Sequence, residues 1–149
     1  PNGAYEYMFK NNITDETCSI YQAWGWTNGM GCTEEIKCKN CHPGGACDYP
    51  TGYLIYGVEQ YAPINGEDKM MNEIFQRGPI SCGVSVTDDF EKYKGGIITD
   101  ATKGSIDHEI SLVGYGTDNG VPFWYGRNSW GTFWGERGFF RIYRGNNTL

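Results

Sequence analysis

Residues 107–143 read DHEISLVGYGTDNGVPFWYGRNSWGTFWGERGFFRIY. Three apolar runs stand in this stretch: HEISLVGYG (108–116), VPFWYGRN (121–128) and GFFRIY (138–143). Each is short, rich in aromatic and β-branched residues, and bounded by glycine-bearing turns, which predicts three β-strands. The first two are joined by a hairpin. His108 opens the first strand and Asn128 ends the second, and adjacent antiparallel strands bring such ends together. A thiol nucleophile needs an imidazole within hydrogen-bond reach, and the imidazole needs a third group to orient it. An asparagine oxygen that accepts one ring N–H does this. Trp130 and Trp134 follow at once, and an indole over the His–Asn bond would exclude water and strengthen it.

Upstream, GPISCGVSV (78–86) contributes another strand, and DDFEKYKGGII (88–98) is rich in turns. GEDKMMNEIFQRG (66–78) predicts a helix: acidic residues fill its first turn, Met70, Met71, Ile74 and Phe75 give an apolar face, and Gly78-Pro79 ends it. YLIYGV (53–58) is expected to be a strand, and AYEYMFK (4–10) the end of a helix. Residues 11–50 show no hydrophobic period and are expected to be a loop stapled by cysteines. The whole is an α+β chain: an antiparallel β unit preceded by a helix and a cysteine-laced loop.

The 149 residues suit one ordinary domain or a piece of something larger. Aromatics make up 15% of the chain, which argues for a packed core. No run approaches the roughly 18 apolar residues of a membrane span. A net charge of −6 speaks against nucleic-acid partners, whose phosphates need a basic face. Five of the six cysteines fall between Cys18 and Cys47, and N-x-T sequons stand at Asn12 and Asn146. Together these point to the secretory route. Cys38, Cys41 and His42 spell C-x-x-C-H, a spacing compatible with c-type haem or, with Cys47, zinc. The surroundings are polar, which favours a disulfide-bonded loop, and no cofactor or metal is expected.

RNSWGTFWGERGFFRI (127–142) resembles the asparagine motif of papain-like cysteine peptidases, DHEISLVGYG (107–116) their histidine motif, and GPISCGVSV the strand before it. DETCSIYQA (15–23), the run Cys32, Cys38, Cys41, Cys47, and MMNEIFQRGPISCGV (70–84) resemble the cathepsin X (cathepsin Z) branch of that family. The resemblance covers essentially the whole chain. It implies a papain-like fold, here the end of a helical left domain (1–50) and most of a β-rich right domain (51–149). It implies a lysosomal, endosomal or extracellular peptidase acting on peptides or proteins by Cys–His–Asn catalysis, with His108 and Asn128 as two of its three catalytic groups.

The nucleophilic cysteine of the C-G-[SA]-C-[WY] motif is not in the chain; by family spacing it lies roughly 20–40 residues before Pro1. The family usually continues beyond FFRIYRGNNTL (139–149) with another strand of the right domain, so the chain looks cut at both ends; without the nucleophile it is expected to be inactive alone, with the missing N-terminal segment or another chain as partner. A catalytically dead module with a binding or structural role is the alternative. The resemblance further implies disulfides Cys18–Cys38 and Cys41–Cys47, with Cys32 and Cys82 unpaired within this chain. It places Gly83, Ile106 and Glu109 at the S2 pocket and Trp130 on the primed side. Glu109 stands where the family generally has a small or apolar residue, which suggests tolerance of a basic P2 residue. Gly126 replaces an apolar residue, which suggests a looser strand before Asn128. The branch trims single C-terminal residues by means of an upstream insertion, so carboxypeptidase activity does not follow from these residues.

Overall fold

A computed structural model describes residues 1–21, 33–99 and 104–145. The chain divides into two compact units, Pro1–Pro63 and Ile64–Leu149.

The first unit opens with α1 (Asn2–Asn11), none of whose residues is buried. Phe9 meets Tyr61, ring centroids 5.8 Å apart. Beyond α1 the chain is held by cross-links rather than by a ladder. Cys18 is bonded to Cys38 and Cys41 to Cys47. Thr14 Oγ1 donates to the Lys37 carbonyl at 2.7 Å, and the Lys39 N–H to the Cys18 carbonyl at 3.0 Å. The second disulfide closes a miniature hairpin of β1 (Asn40–Cys41) and β2 (Cys47–Asp48). Both sulfurs of the C-x-x-C-H run are thus consumed, and His42 Nε2 pairs with Asp48 Oδ2 at 2.7 Å.

The strand expected at 53–58 does not form. Tyr56 makes a single bridge with Ile13, and Leu54, Ile55 and Tyr56 are exposed. A β-rich composition supplies propensity but not a partner, and without a neighbouring ladder no strand propagates.

The second unit begins with α2 (Glu67–Arg77), bounded by Gly66 and Gly78. Its apolar face is narrower than expected: Ile74 is buried and Met70 packs against the core, but Phe75 is 75% exposed. Ile74 and Phe75 are neighbours about 100° apart on the helix, so both cannot face the core centre.

Five strands follow: β3 (Ile80–Val84), β4 (Ile97–Ile98), β5 (His108–Asp118), β6 (Val121–Arg127) and β7 (Phe139–Tyr143), in sheet order β3-β5-β6-β7-β4. All neighbours are antiparallel except β4, which runs parallel to β7, so the sheet is mixed rather than purely antiparallel. The β5–β6 hairpin turns on Asn119 (φ 48°) and Gly120 (φ 81°). Asn-Gly tolerates the two positive φ values of a two-residue turn, whose twist matches the strands it joins. A short helix, α3 (Asp88–Glu91), is capped by Thr87, whose Oγ1 accepts from the Phe90 N–H at 3.2 Å.

Alternation decides the core. Ile110 and Leu112 of β5, Gly126 of β6, and Phe140 and Ile142 of β7 point to one face, where Ile74, Val84, Phe90, Tyr93, Ile98 and Trp134 join them. Gly126 lies opposite both Leu112 and Phe140. A Cβ on Gly126 would stand 2.2 Å from Phe140 Cζ. The glycine therefore marks a tight approach of a phenylalanine ring, not the looser strand that its departure from the family's usual apolar residue suggests.

Candidate active site

β3 pairs with β5 so that Val84 faces His108, and the Asp107 side chain secures the junction by accepting the Val86 N–H at 2.9 Å. His108 shares the inward face with Ile110 and Leu112, two and four residues on. Asn128 follows directly on β6 and is pinned by its own N–H, which donates to the Gly138 carbonyl at 2.9 Å. The two side chains meet: His108 Nε2 and Asn128 Oδ1 are 2.8 Å apart.

The orientation of the amide is fixed independently. The Ser129 N–H donates to the same Oδ1 at 2.8 Å, so that atom must be the acceptor oxygen. His108 Nε2 must then carry the hydrogen it shares with Asn128. In the neutral ring Nδ1 is consequently the basic nitrogen, the one available to take a proton from a thiol. Asn128 is 7% exposed. Its Nδ2 is buried with no hydrogen-bond partner among the described residues.

Both tryptophans are at this pair. The Trp130 ring lies 5.0 Å from the His108 ring, tilted by 33°, and 5.2 Å edge-to-face from Trp134. Trp134 is buried and anchored by its indole N–H to the Glu91 carbonyl at 3.0 Å. Under both sits Phe90, fully buried, with its ring centroid 5.7 Å from Trp130, 5.1 Å from Trp134 and 6.4 Å from His108. Phe90 escaped sequence reasoning because it stands between charged residues in a turn-rich run. The one signal for it is Thr87 three residues earlier, a helix cap that turns Phe90 inward.

The three residues assigned to an S2 pocket are brought together on the opposite face of the sheet. Gly83 and Glu109 are cross-strand partners. A Cβ on Gly83 would fall 2.5 Å from Ile106 Cγ2 and 3.7 Å from Glu109 Oε2. Ile106 and Glu109 are both exposed. Cys82, next to Gly83, is a free thiol, and burial followed by the Glu109 charge pushes its pKa up, which disfavours the thiolate. Cys32 and Asn146 lie outside the described residues, whereas Asn12 is exposed. A cavity of about 350 Å³ beside α2 is lined by Met70, Cys82, Gly83, Leu112, Trp124, Phe140 and Ile142; it shares Gly83 with that S2 trio and has no part of the His–Asn pair. Among the described residues no group of three or more His, Cys, Asp or Glu is placed to hold a metal ion, and no helix is long and apolar enough to cross a membrane.

An imidazole oriented by an asparagine under an indole, at the end of a β-rich unit, is the base-and-orienter pair that a thiol nucleophile requires. The papain family cysteine protease model matches residues 1–149, and the chain belongs to that family. It is 46% identical over 144 residues to cathepsin Z of Onchocerca volvulus, covering 95% of this chain and 45% of that protein. It is 38% identical to a gut-specific cysteine proteinase of Caenorhabditis elegans, over 87% of this chain and 40% of that one. Among solved structures, procathepsin B S9 from Trypanosoma congolense superposes with TM-score 0.76 at 26% identity, over 99% of this chain and 49% of that chain. The bromelain protease of Ananas comosus gives TM-score 0.69 at 27% identity, over 97% of this chain and 60% of that chain. The chain thus spans less than half the length of these curated relatives.

Proposed function

We propose that the chain is the His- and Asn-bearing portion of a cathepsin X/Z-like cysteine peptidase of the lysosomal or secretory route, and that its nucleophilic sulfur is supplied by sequence before Pro1. The observation that carries this reading is the His108–Asn128 bond, with the amide oxygen fixed by Ser129. In this reading Nδ1 of His108 takes the thiol proton, and the thiolate attacks the scissile carbonyl carbon. The resulting imidazolium returns the proton from Nδ1 to the leaving amine as the C–N bond breaks, leaving an acyl-thioester. Nδ1 then removes a proton from water, which attacks the thioester and releases the acid and the thiol. Asn128 holds the ring in its plane throughout, and Trp130 shields the Asn128 bond from water.

By the same reading Gly83, Ile106 and Glu109 receive the P2 side chain, Glu109 favouring a basic one, and Trp130 flanks the primed side. Asn12 and Asn146 are glycan acceptors, and peptides or proteins are the substrates. Alone, the 149-residue chain hydrolyses nothing, because the general base has no thiol to serve.

The test is to express the protein with its upstream segment and assay a peptide library with and without a thiol-alkylating inhibitor. Inhibitor-sensitive hydrolysis that is lost in His108→Ala is the expected result. A complete protein with His108 intact and no hydrolysis of any peptide would overturn the proposal and favour a binding module.

A further inference from the structure

The sequon at Asn12 is tied into the folded first unit at all three of its positions. Asn12 follows α1 with φ 54°, and its N–H donates to the Met8 carbonyl at 3.1 Å. Its Oδ1 lies against Gly57, where an added Cβ would stand 2.4 Å away. Ile13 exchanges two backbone bonds with Tyr56, at 2.8 and 2.7 Å. Thr14 is half-buried, and its Oγ1 donates to the Lys37 carbonyl at 2.7 Å. Lys37 is itself held beside the Cys18–Cys38 disulfide, where the Lys39 N–H donates to the Cys18 carbonyl at 3.0 Å. The N-x-T rule requires the hydroxyl two residues after the asparagine, so the transferring enzyme must reach Thr14 as well as Asn12. In the closed loop that hydroxyl is engaged by Lys37, and the backbone between the two residues is bridged to Tyr56. The acceptor is therefore the chain before this corner closes.

We propose that closure of the Cys18–Cys38 disulfide ends acceptance of a glycan at Asn12, so that oxidation of this loop sets the share of chains that carry one. This deepens, and rests on, the reading of Asn12 as a glycan acceptor on the secretory route. In the transfer, Asn12 Nδ2 bonds to the anomeric carbon of a pyrophosphate-linked oligosaccharide. The carbon–oxygen bond to the pyrophosphate breaks, and one amide proton leaves to a base of the enzyme. Closure is thiol–disulfide exchange: the Cys18 and Cys38 thiols pass two electrons and two protons to an oxidising disulfide, which becomes a dithiol. Cys38 follows Asn12 by about 26 residues, roughly one to five seconds of synthesis. Disulfides form over seconds or longer, so closure and transfer overlap in time and some chains close unmodified.

The experiment expresses the complete protein in secretory cells and reads Asn12 occupancy on all newly made chains, secreted or retained. Peptide mass spectrometry after enzymatic deglycosylation scores each occupied asparagine as aspartate. Comparable rates leave about half of the wild-type chains occupied, so Cys18→Ser with Cys38→Ser is expected to raise occupancy about twofold. A reductant added during synthesis gives the same rise. Cys41→Ser with Cys47→Ser, which opens the neighbouring hairpin, serves as the control and keeps the wild-type occupancy. Full wild-type occupancy, an occupancy unmoved by Cys18→Ser with Cys38→Ser, or an equal rise in the control overturns this inference and leaves Asn12 an acceptor. No glycan at Asn12 in any arm overturns both.

Discussion

Replacing Gly126 by alanine separates two opposite expectations. If β6 were loose at this point, an added methyl would stabilise the strand by roughly 0.5–1 kcal/mol, the usual cost of glycine in a strand interior. The structure requires the reverse. The new Cβ would lie 2.2, 2.5 and 2.9 Å from three atoms of the Phe140 ring. Carbon atoms at rest stand about 3.5–4.0 Å apart, so the ring must retreat by more than 1 Å, roughly. It is fully buried, and Phe90 at 5.0 Å and Trp134 at 5.9 Å block one side, leaving only the side toward the cavity beside α2. Overpacking of this kind costs about 1–3 kcal/mol. Urea unfolding of the complete protein, followed by tryptophan fluorescence, measures the change as a lower midpoint at unchanged slope. Gly126→Ala combined with Phe140→Leu should be at least about 1 kcal/mol less destabilised than the sum of the single changes. Because Phe90 also supports Trp130 and His108, kcat/KM should fall with stability. A loss under about 0.5 kcal/mol for Gly126→Ala, or strict additivity in the pair, would refute the packing argument.

Asn128→Ala should lower kcat/KM about 10- to 100-fold with KM little changed, since the lost buried bond orients the base rather than the substrate; steady-state kinetics on one good peptide decides it. Glu109→Gln should cut the preference for Arg over Leu at P2 about tenfold, read as a ratio of kcat/KM values, and an unaltered ratio removes Glu109 from that pocket. Glu136 accepts from Arg141 at 2.7 Å and from the Gly96 N–H at 3.1 Å, and these bonds hold its carboxyl below the usual range. A carboxyl depressed on folding stabilises fully above its unfolded value of about 4.3 and loses that contribution as pH falls through its folded value. The stability difference between wild type and Glu136→Gln should therefore be flat above about pH 5 and shrink on acidification below about pH 4; urea midpoints across that range test the sign.

The elements legible in the sequence are those whose partners are near in the chain. The Asn119-Gly120 turn and the alternating runs around it announce β5 and β6, and the hairpin then places His108 and Asn128 at the same end. α2 is legible from its glycine boundaries and acidic first turn. What the sequence hides depends on distant partners. Ile97–Ile98 forms a strand only because β7, more than forty residues on, lends its edge in parallel. Tyr53–Val58 has the composition of a strand, yet among the described residues its one bridge partner is Ile13. The choice between Ile74 and Phe75 is made by the sheet beneath α2. The meaning of Gly126 is held by Phe140, across one strand pair. Phe90 becomes part of the site only when α3 folds it under two tryptophans.

The His108–Asn128 pair is a continuation of the core face rather than an addition to it. His108, Ile110 and Leu112 alternate inward along β5; Gly126 and Asn128 do so at the end of β6; Phe90 touches both the core ring Phe140 and the site ring Trp130. A polar pair at such a position is costly for a purely structural purpose. Asn128 is buried, its Oδ1 accepts twice, and its Nδ2 finds no partner among the described residues, which costs about 1–3 kcal/mol. An apolar residue of similar size would avoid that cost and pack against the same rings. What the apolar residue could not do is hold the hydrogen on Nε2 and leave Nδ1 basic. On the proposed peptidase reading, orientation of the imidazole accounts for the retained penalty: a rule of good packing is broken where that chemistry needs the broken rule.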